Sequence, residues 1–146
     1  MKKDLKEITR EIMKEAKACA LITMDSLGIA HARAMDPFLP EKDFTVWMAT
    51  NPKSLKVQQL KNNKKVTLYY FDKESVSYVS LQGVVSIVNG AAAKEKYWKT
   101  AWKNFYKNRT TEYLLIKFTP KKANIVSERY QILGDSITWE TAQLNF

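Results

Sequence analysis

The sequence predicts a mainly β protein of α+β class, with six to eight short antiparallel strands in a barrel or a sandwich. Short apolar runs recur along the chain and are bounded by turn residues. Several of these runs are too close together for a crossover helix, which argues against a doubly wound parallel sheet. The chain has 146 residues, of which 45% are hydrophobic, so we expect residues 1–146 to form one domain.

The first half of the chain predicts a helix, a hairpin, a third strand and a second helix. The predicted elements are a helix at residues 4–16, strands at 18–24, 29–35 and 44–49, and a helix at 52–62. A short turn, Asp25-Ser26-Leu27-Gly28, joins the first two strands, as in a hairpin. We expect Asn51 or Thr50 to cap the second helix and Pro52 to lie in its first turn.

The second half adds five predicted strands and one predicted helix. The strands are at residues 66–71, 77–88, 113–118, 123–132 and 137–141, and the helix is at 91–106. Gly83 interrupts the long strand and predicts a bend or a bulge there. Aromatic residues at three-and-four spacing, such as Trp98 and Trp102, predict the helix and are typical of a core or a subunit interface.

The net charge of +9 is compatible with nucleic acid, a membrane surface or an anionic small ligand. No apolar run reaches the length of a membrane span, and the charged start does not resemble a signal peptide. The single cysteine, Cys19, excludes an internal disulfide and is typical of a reducing compartment. We therefore expect a cytoplasmic protein without membrane association, in which Cys19 packs in the core.

One region combines the features of a phosphate site. Arg33 lies in a predicted strand, and Ser54 and Lys56 lie at the start of a predicted helix, where free N–H groups favour anions. The chain has no Walker motif and no GxGxxG loop. Two ordinary interpretations stay open: Arg33 pairing with an acid across the barrel, and Ser54 and Lys56 as first-turn residues.

Other chemistry-bearing residues are sparse. His31 is the only histidine, and its place in a strand is typical of a surface or packed residue. One histidine and one cysteine cannot build a metal site at this spacing, and no Ser-His-Asp or Cys-His arrangement is evident. No catalytic acid or base stands out.

Five segments, taken in order, give the chain a family resemblance. They are the N-terminal helix, ACALITM with IAHARAM, FTVWMATNPKSLKV, VTLYYF with YVSLQGVVSIV, and a Trp-rich helix leading to YLLIKFTPKKANIV. Over residues 5–130 the chain resembles the FMN-binding split β-barrel proteins of the pyridoxamine 5′-phosphate oxidase-like family, and among them the general stress protein branch. The main motif is Arg33, sixteen residues, then T-x-x-x-S-x-K.

The resemblance implies an antiparallel split β-barrel with an N-terminal helix and two or three flanking helices. It also implies a homodimer that holds FMN in clefts between its subunits. The implied cofactor contacts are Arg33, Ser54 and Lys56 at the phosphate, Ala34 and Met35 through main-chain atoms, and Ala49 and Thr50 along the flavin. Tyr78 stands where the oxidases place an amide, and Trp47 and Trp139 are candidate flavin neighbours, with Trp139 on a tail that can reach the partner's cofactor.

The C-terminus departs from the true oxidases. It contains Arg129 but no histidine, although the oxidases carry substrate-binding arginine and histidine residues there. This argues against pyridoxamine phosphate oxidation. We expect an FMN-binding oxidoreductase of unknown substrate, with a nicotinamide or another small molecule as a possible electron donor.

The alternative is a non-enzymatic flavin carrier or sensor, or a basic nucleic-acid-binding stress protein. The tightest basic cluster coincides with the phosphate pattern, which favours flavin over nucleic acid.

Overall fold

In the computed structural model, which describes residues 3–146, an antiparallel sheet is flanked by helices. The strands of this part of the chain are β1 (Cys19–Met24), β2 (Ala30–Met35), β3 (Val46–Thr50), β4 (Lys65–Asp72), β5 (Ser77–Val88), β6 (Leu114–Ser127) and β7 (Ala142–Asn145). The helices are α1 (Leu5–Ala16), α2 (Leu55–Asn62), α3 (Ala91–Lys96) and a short 3-10 helix (Thr100–Asn104). The predicted mainly β, α+β class is confirmed.

The sheet has two ends that do not meet. Its hydrogen-bonded order is β2-β1-β4-β5-β6-β3, and β7 pairs with β6 beside this path. Among the described residues β2 and β3 share no ladder, so the sheet stays open between them, as a split barrel does. We call this opening the seam. None of the helices in residues 3–146 is long and apolar enough to cross a membrane.

The inner face of the sheet and one side of α1 form the main core. Ile8, Ile12 and Met13 recur on one side of α1 and are buried, while Asp4 accepts a hydrogen bond from the Glu7 N–H at 2.8 Å and caps the helix. Alternate residues of β1, β4 and β5, with buried residues of β3 and β6, complete this core. Cys19 is part of it, as predicted, and burial raises the pKa of its thiol to about 12.

A second, aromatic layer covers the outer side of β3 and β6. Trp47, Trp102, Tyr113 and Leu115 are its buried members, and Trp47 stacks on Tyr97 at 4.2 Å between ring centroids. Strand β3 is therefore buried on both faces. The predicted helix at 91–106 is wrong, because α3 ends at Lys96 and the 3-10 helix starts at Thr100. The Tyr113 hydroxyl donates to the Tyr97 carbonyl, an acceptor that a continuous helix would use.

The two strands predicted at 113–118 and 123–132 are one strand, β6, which ends at Ser127, so that residues 128–131 form a turn instead. Pro120 lies inside it, opposite Gly83, where the register with β5 shifts and the ladder bulges. A bulge tolerates proline because proline has no N–H to contribute. The bend predicted at Gly83 is confirmed. A Cβ at this glycine would lie 2.2 Å from the carbonyl oxygen of Thr119, so the two strands approach closely there.

Two further boundaries differ from prediction. The strand expected at 137–141 is a turn, because the Asp135 carboxylate accepts hydrogen bonds from the Ile137 and Thr138 N–H groups, and β7 starts only at Ala142. The helix expected at 52–62 starts at Leu55 with Ser54 as its N-cap. Asn51 instead shapes the preceding turn by accepting from the Lys53 N–H, so neither Pro52 nor Thr50 takes its predicted helical role.

Candidate functional site

A cleft of about 580 Å³ opens at the seam. Its lining residues are Ala34, Met35 and Asp36 at the end of β2, Ala49 and Thr50 at the end of β3, Asn51, Ser54 and Lys56 at the entry to α2, and Ala101, Trp102, Phe105 and Tyr106 from the 3-10 segment. One wall is therefore polar and basic, and the other is aromatic. Six of the residues predicted to contact a cofactor meet in this one cleft, although they come from three separate elements.

Arg33 does not itself line this cleft, but it lies on the inner side of β2, and its charge acts on Lys56 in the basic wall. Its guanidinium donates to the Leu21 carbonyl at 3.2 Å, the Thr23 hydroxyl at 2.7 Å and the Gln59 side-chain oxygen at 3.1 Å. All three acceptors are uncharged. Among residues 3–146, no carboxylate lies within ion-pair distance of Arg33. The structure thus gives no support to the interpretation that Arg33 pairs with an acid across the barrel.

Lys56 lies at the start of α2 and points back to the end of β3. Its Nζ donates to the Thr50 hydroxyl at 2.9 Å, and that hydroxyl lies 3.1 Å from the Ser54 hydroxyl. Because Ser54 makes this contact, its side chain does not cap the helix. The first N–H groups of a helix have no intrahelical acceptor, so this helix start keeps donors for an external anion.

The electrostatics of this wall favour an anionic ligand. Burial, and then the neighbouring charge of Arg33, lower the pKa of Lys56 below its ordinary value. Burial also lowers the pKa of Arg33. Both cations are partly removed from water, they repel each other, and no described carboxylate forms an ion pair with either of them. Folding alone does not compensate such an arrangement, whereas a bound dianion would.

Tyr78 and Trp139 lie apart from this cleft within one chain. They line a separate pocket of about 380 Å³ with Val126, Gly134, Asp135, Ser136 and Thr141. Tyr78 stacks on Tyr69 at 5.5 Å, while Trp139 is 80% exposed. Trp47, the other predicted flavin neighbour, is buried under Tyr97 and does not line the cleft.

Several lining residues were not predicted from the sequence. Asp36 follows β2 directly, and its carboxylate accepts from Lys99 Nζ at 2.8 Å and from Trp102 Nε1 at 3.1 Å. These bonds join the end of β2 to the aromatic wall. Trp102, Phe105 and Tyr106 carried a signal, their helical spacing, but spacing alone did not reveal that they face a cleft. His31 takes no part, since it pairs with Asp25 at 2.8 Å.

Solved structures share this architecture. General stress protein 26 from Bacillus anthracis superposes with a TM-score of 0.76 at 23% identity, and the match covers 97% of this chain and 98% of that one. A protein related to general stress protein 26, from Clostridium acetobutylicum, gives 0.79 at 20% identity over 96% and 93% of the two chains. A pyridoxamine 5′-phosphate oxidase-related, FMN-binding protein from Nostoc punctiforme gives 0.69 at 10% identity over 95% and 91%.

These identities are low enough that the superpositions establish the fold alone. No curated protein sequence gave a significant match. The family described as "Pyridoxamine 5′-phosphate oxidase like" matches residues 4–138, which is nearly the whole chain and includes every strand that borders the seam. The chain therefore belongs to the pyridoxamine 5′-phosphate oxidase-like family, as its sequence motifs predict.

Proposed function

We propose that the protein binds FMN in the seam cleft, with the phosphate at Arg33, Thr50, Ser54 and Lys56. One observation carries the proposal: two neighbouring, partly buried cations have no carboxylate partner among the described residues. A terminal phosphate carries close to two negative charges and accepts several charge-assisted hydrogen bonds. Its charge and its acceptors therefore suit this wall. The FMN-binding relative from Nostoc punctiforme supports the choice of ligand.

The remainder of the cleft is suited to a flat ring system. Ala34 and Ala49 are small, so they allow close approach to the backbone, and Met35 offers a polarisable apolar surface. Phe105 is 75% exposed beside them, which leaves an aromatic face free for stacking. Such a surface suits the binding of an isoalloxazine ring, and the bound flavin would supply the electron transfer.

We propose that the functional unit is a homodimer, because one sheet face is almost free of charge and only partly buried within a single chain. This outer sheet face has one charged side chain on strands β1, β2, β4 and β5, Lys65 at the start of β4. Its uncharged members in a protein of net charge +9 include Ala30, Ala32 and Ala34 of β2, Ala20, Ile22 and Met24 of β1, Thr67, Tyr69 and Phe71 of β4, and Tyr78, Ser80 and Gln82 of β5. A second copy is the occupant that we assign to it, since depletion of charge marks the buried part of an interface.

The same dimer would explain how Tyr78 and Trp139 could contact a flavin although they lie outside the seam cleft of their own chain. Within one chain they lie away from the seam cleft, yet Tyr78 belongs to the outer sheet face and Trp139 lies beside it. A partner packed on this face would bring its own Tyr78 and Trp139 towards the flavin. The cofactor site would then be complete only in the dimer.

We assign an oxidoreductase activity of unknown substrate, with a nicotinamide as one possible electron donor. A non-enzymatic flavin carrier or sensor is the second candidate, and one observation favours it. Asp36 is the only acidic residue among the described lining residues, and both of its oxygens already accept hydrogen bonds. The described lining therefore presents no free carboxylate and no histidine as a proton donor or acceptor.

A spectroscopic titration tests the proposal. The purified protein should show flavin absorption, or acquire it with FMN, and should bind FMN more tightly than riboflavin, which lacks the phosphate. Sedimentation of the same sample should show a dimer. Equal affinity for FMN and riboflavin would contradict the proposed phosphate site. A monomer that binds FMN tightly would contradict the proposal that two subunits share the cleft.

A further inference from the structure

We infer that Gln59, with Thr23, is the positioning residue that makes the cleft selective for a phosphorylated ligand. The inference rests on the proposed FMN site and goes beyond it, since neither residue lines the cleft. Gln59 lies on α2 one turn after Lys56, and Thr23 lies on β1 next to β2. Both are buried polar residues, with exposed fractions of 6% and 0%.

Their hydrogen bonds form a closed set around Arg33. The Gln59 side-chain oxygen accepts from the Arg33 guanidinium at 3.1 Å and from the Thr23 hydroxyl at 2.5 Å. The same hydroxyl accepts from the guanidinium at 2.7 Å. Arginine can only donate, so it fixes the orientation of the Gln59 amide, whose oxygen must face it. Burial of Gln59 and Thr23 leaves this arrangement little freedom to change.

The chemistry of the acceptors matters as much as their position. A carboxylate at position 59 would hold the guanidinium equally well, but it would also cancel the charge that a phosphate needs. An amide oxygen and a hydroxyl orient Arg33 and leave its charge uncompensated. Three of its N–H groups are occupied by Leu21, Thr23 and Gln59, and the others stay available.

The orientation and the charge can be separated by substitution. Gln59→Glu keeps the size and an acceptor oxygen while adding a negative charge beside Arg33. Thr23→Val keeps the shape and removes the hydroxyl that Arg33 and Gln59 share. Gln58→Glu is the matched control, because Gln58 is the exposed neighbour on the same helix and the change adds the same charge.

The experiment measures FMN and riboflavin affinity by flavin fluorescence, together with the melting temperature of each apo variant. We expect Gln59→Glu to weaken FMN binding at least roughly tenfold, with riboflavin binding unchanged and the melting temperature not lowered, since the new carboxylate pairs with Arg33. Thr23→Val should weaken FMN binding selectively as well, and Gln58→Glu should behave as the wild type.

Two results would overturn the inference while leaving the FMN site in place. One is wild-type FMN affinity in Gln59→Glu, and the other is an equal loss of FMN and riboflavin in both variants, which indicates a merely structural role. If Gln59→Glu does not fold, Thr23→Val alone tests the inference, through the ratio of its FMN affinity to its riboflavin affinity. Wild-type protein that binds no FMN would instead refute the proposed function itself.

Discussion

Lys56 donates a hydrogen bond of 2.9 Å to the Thr50 hydroxyl across the turn that joins β3 to α2. This contact holds the ammonium group in the lining of the seam cleft, where burial, and then the charge of Arg33, lower the Lys56 pKa. The two cations are thus held together at a cost in free energy, and an anionic ligand removes that cost.

The first prediction concerns the ligand phosphate. Arg33→Ala removes a partly buried cation, and we expect it to weaken FMN binding by ~2–5 kcal/mol, as for other desolvated charge pairs. Riboflavin binding should change little, because riboflavin has no phosphate. Flavin fluorescence titration measures both affinities. If the variant binds FMN as tightly as the wild type, the phosphate lies elsewhere.

The second prediction separates stability from binding at Lys56. A lowered pKa means that the folded state disfavours the charged ammonium, so its penalty is present at neutral pH and disappears as pH rises through the folded pKa towards 10.5. Lys56→Met should therefore stabilise the apo protein at pH 7, by about 0.5 kcal/mol after allowance for solvent screening at this half-buried side chain. It should also weaken FMN binding.

Denaturant unfolding at neutral and alkaline pH measures this effect, with the exposed Lys53→Met as control. The gain in Lys56→Met should shrink as the solution becomes more alkaline. Destabilisation of the apo protein at neutral pH would show that the bond to Thr50 outweighs both the cost of burying the ammonium group and its repulsion from Arg33.

The third prediction concerns the outer sheet face. Phe71 is 53% exposed on this face, so Phe71→Lys should be tolerated by a single chain but should place a charge inside the proposed dimer interface. We expect monomers in sedimentation and a parallel loss of FMN affinity. Leu39→Lys, at a 63% exposed loop residue outside this face, is the control. A dimer that survives Phe71→Lys unchanged would place the interface on another surface.

The fourth prediction concerns turnover. Bound flavin should be bleached anaerobically by NADH or NADPH, whereas pyridoxamine phosphate should be oxidised poorly, because the C-terminus lacks the oxidases' histidine and leaves substrate groups without partners. Each nicotinamide and the formation of pyridoxal phosphate are assayed separately. No bleaching with either nicotinamide would favour the carrier or sensor function, and efficient pyridoxal phosphate formation would show that this protein does not need that histidine.

The fifth prediction concerns the bulge. Gly83→Ala places a methyl group 2.2 Å from the Thr119 carbonyl oxygen and 2.7 Å from the Phe118 ring, so a strand must shift. We expect a loss of roughly 2–3 kcal/mol in the free energy of unfolding. Gly90→Ala, where nothing lies within 4 Å of the added Cβ, should cost far less in the same denaturant measurement. Equal costs would show that the β5–β6 contact relaxes freely.

The sequence predicted those features that depend on local pattern. The alternation in residues 77–88 and the glycine at position 83 determine a bent strand, and both are present in the structure. Contacts between residues far apart in the chain could not be predicted from these local patterns. The Tyr113 hydroxyl donates to the Tyr97 carbonyl directly after the end of α3, and no local signal links these residues. Likewise, the spacing of the motif predicted that Arg33 and Lys56 belong to one site. The role of Gln59 was not predictable from the sequence, because only the fold brings it into contact with Thr23 and Arg33.

The position of the seam has a consequence for how the protein folds. Strands β2 and β3 flank the cleft, yet they are the two ends of the sheet, and they become neighbours only after every intervening strand has paired. Completing the sheet requires pairings between residues far apart in the chain, such as residue 46 with residue 118. Such contacts form slowly. We therefore expect binding competence to appear last during refolding. Flavin uptake, followed in time after dilution from denaturant, would then report completion of the whole sheet, and added flavin would slow unfolding more than it speeds folding.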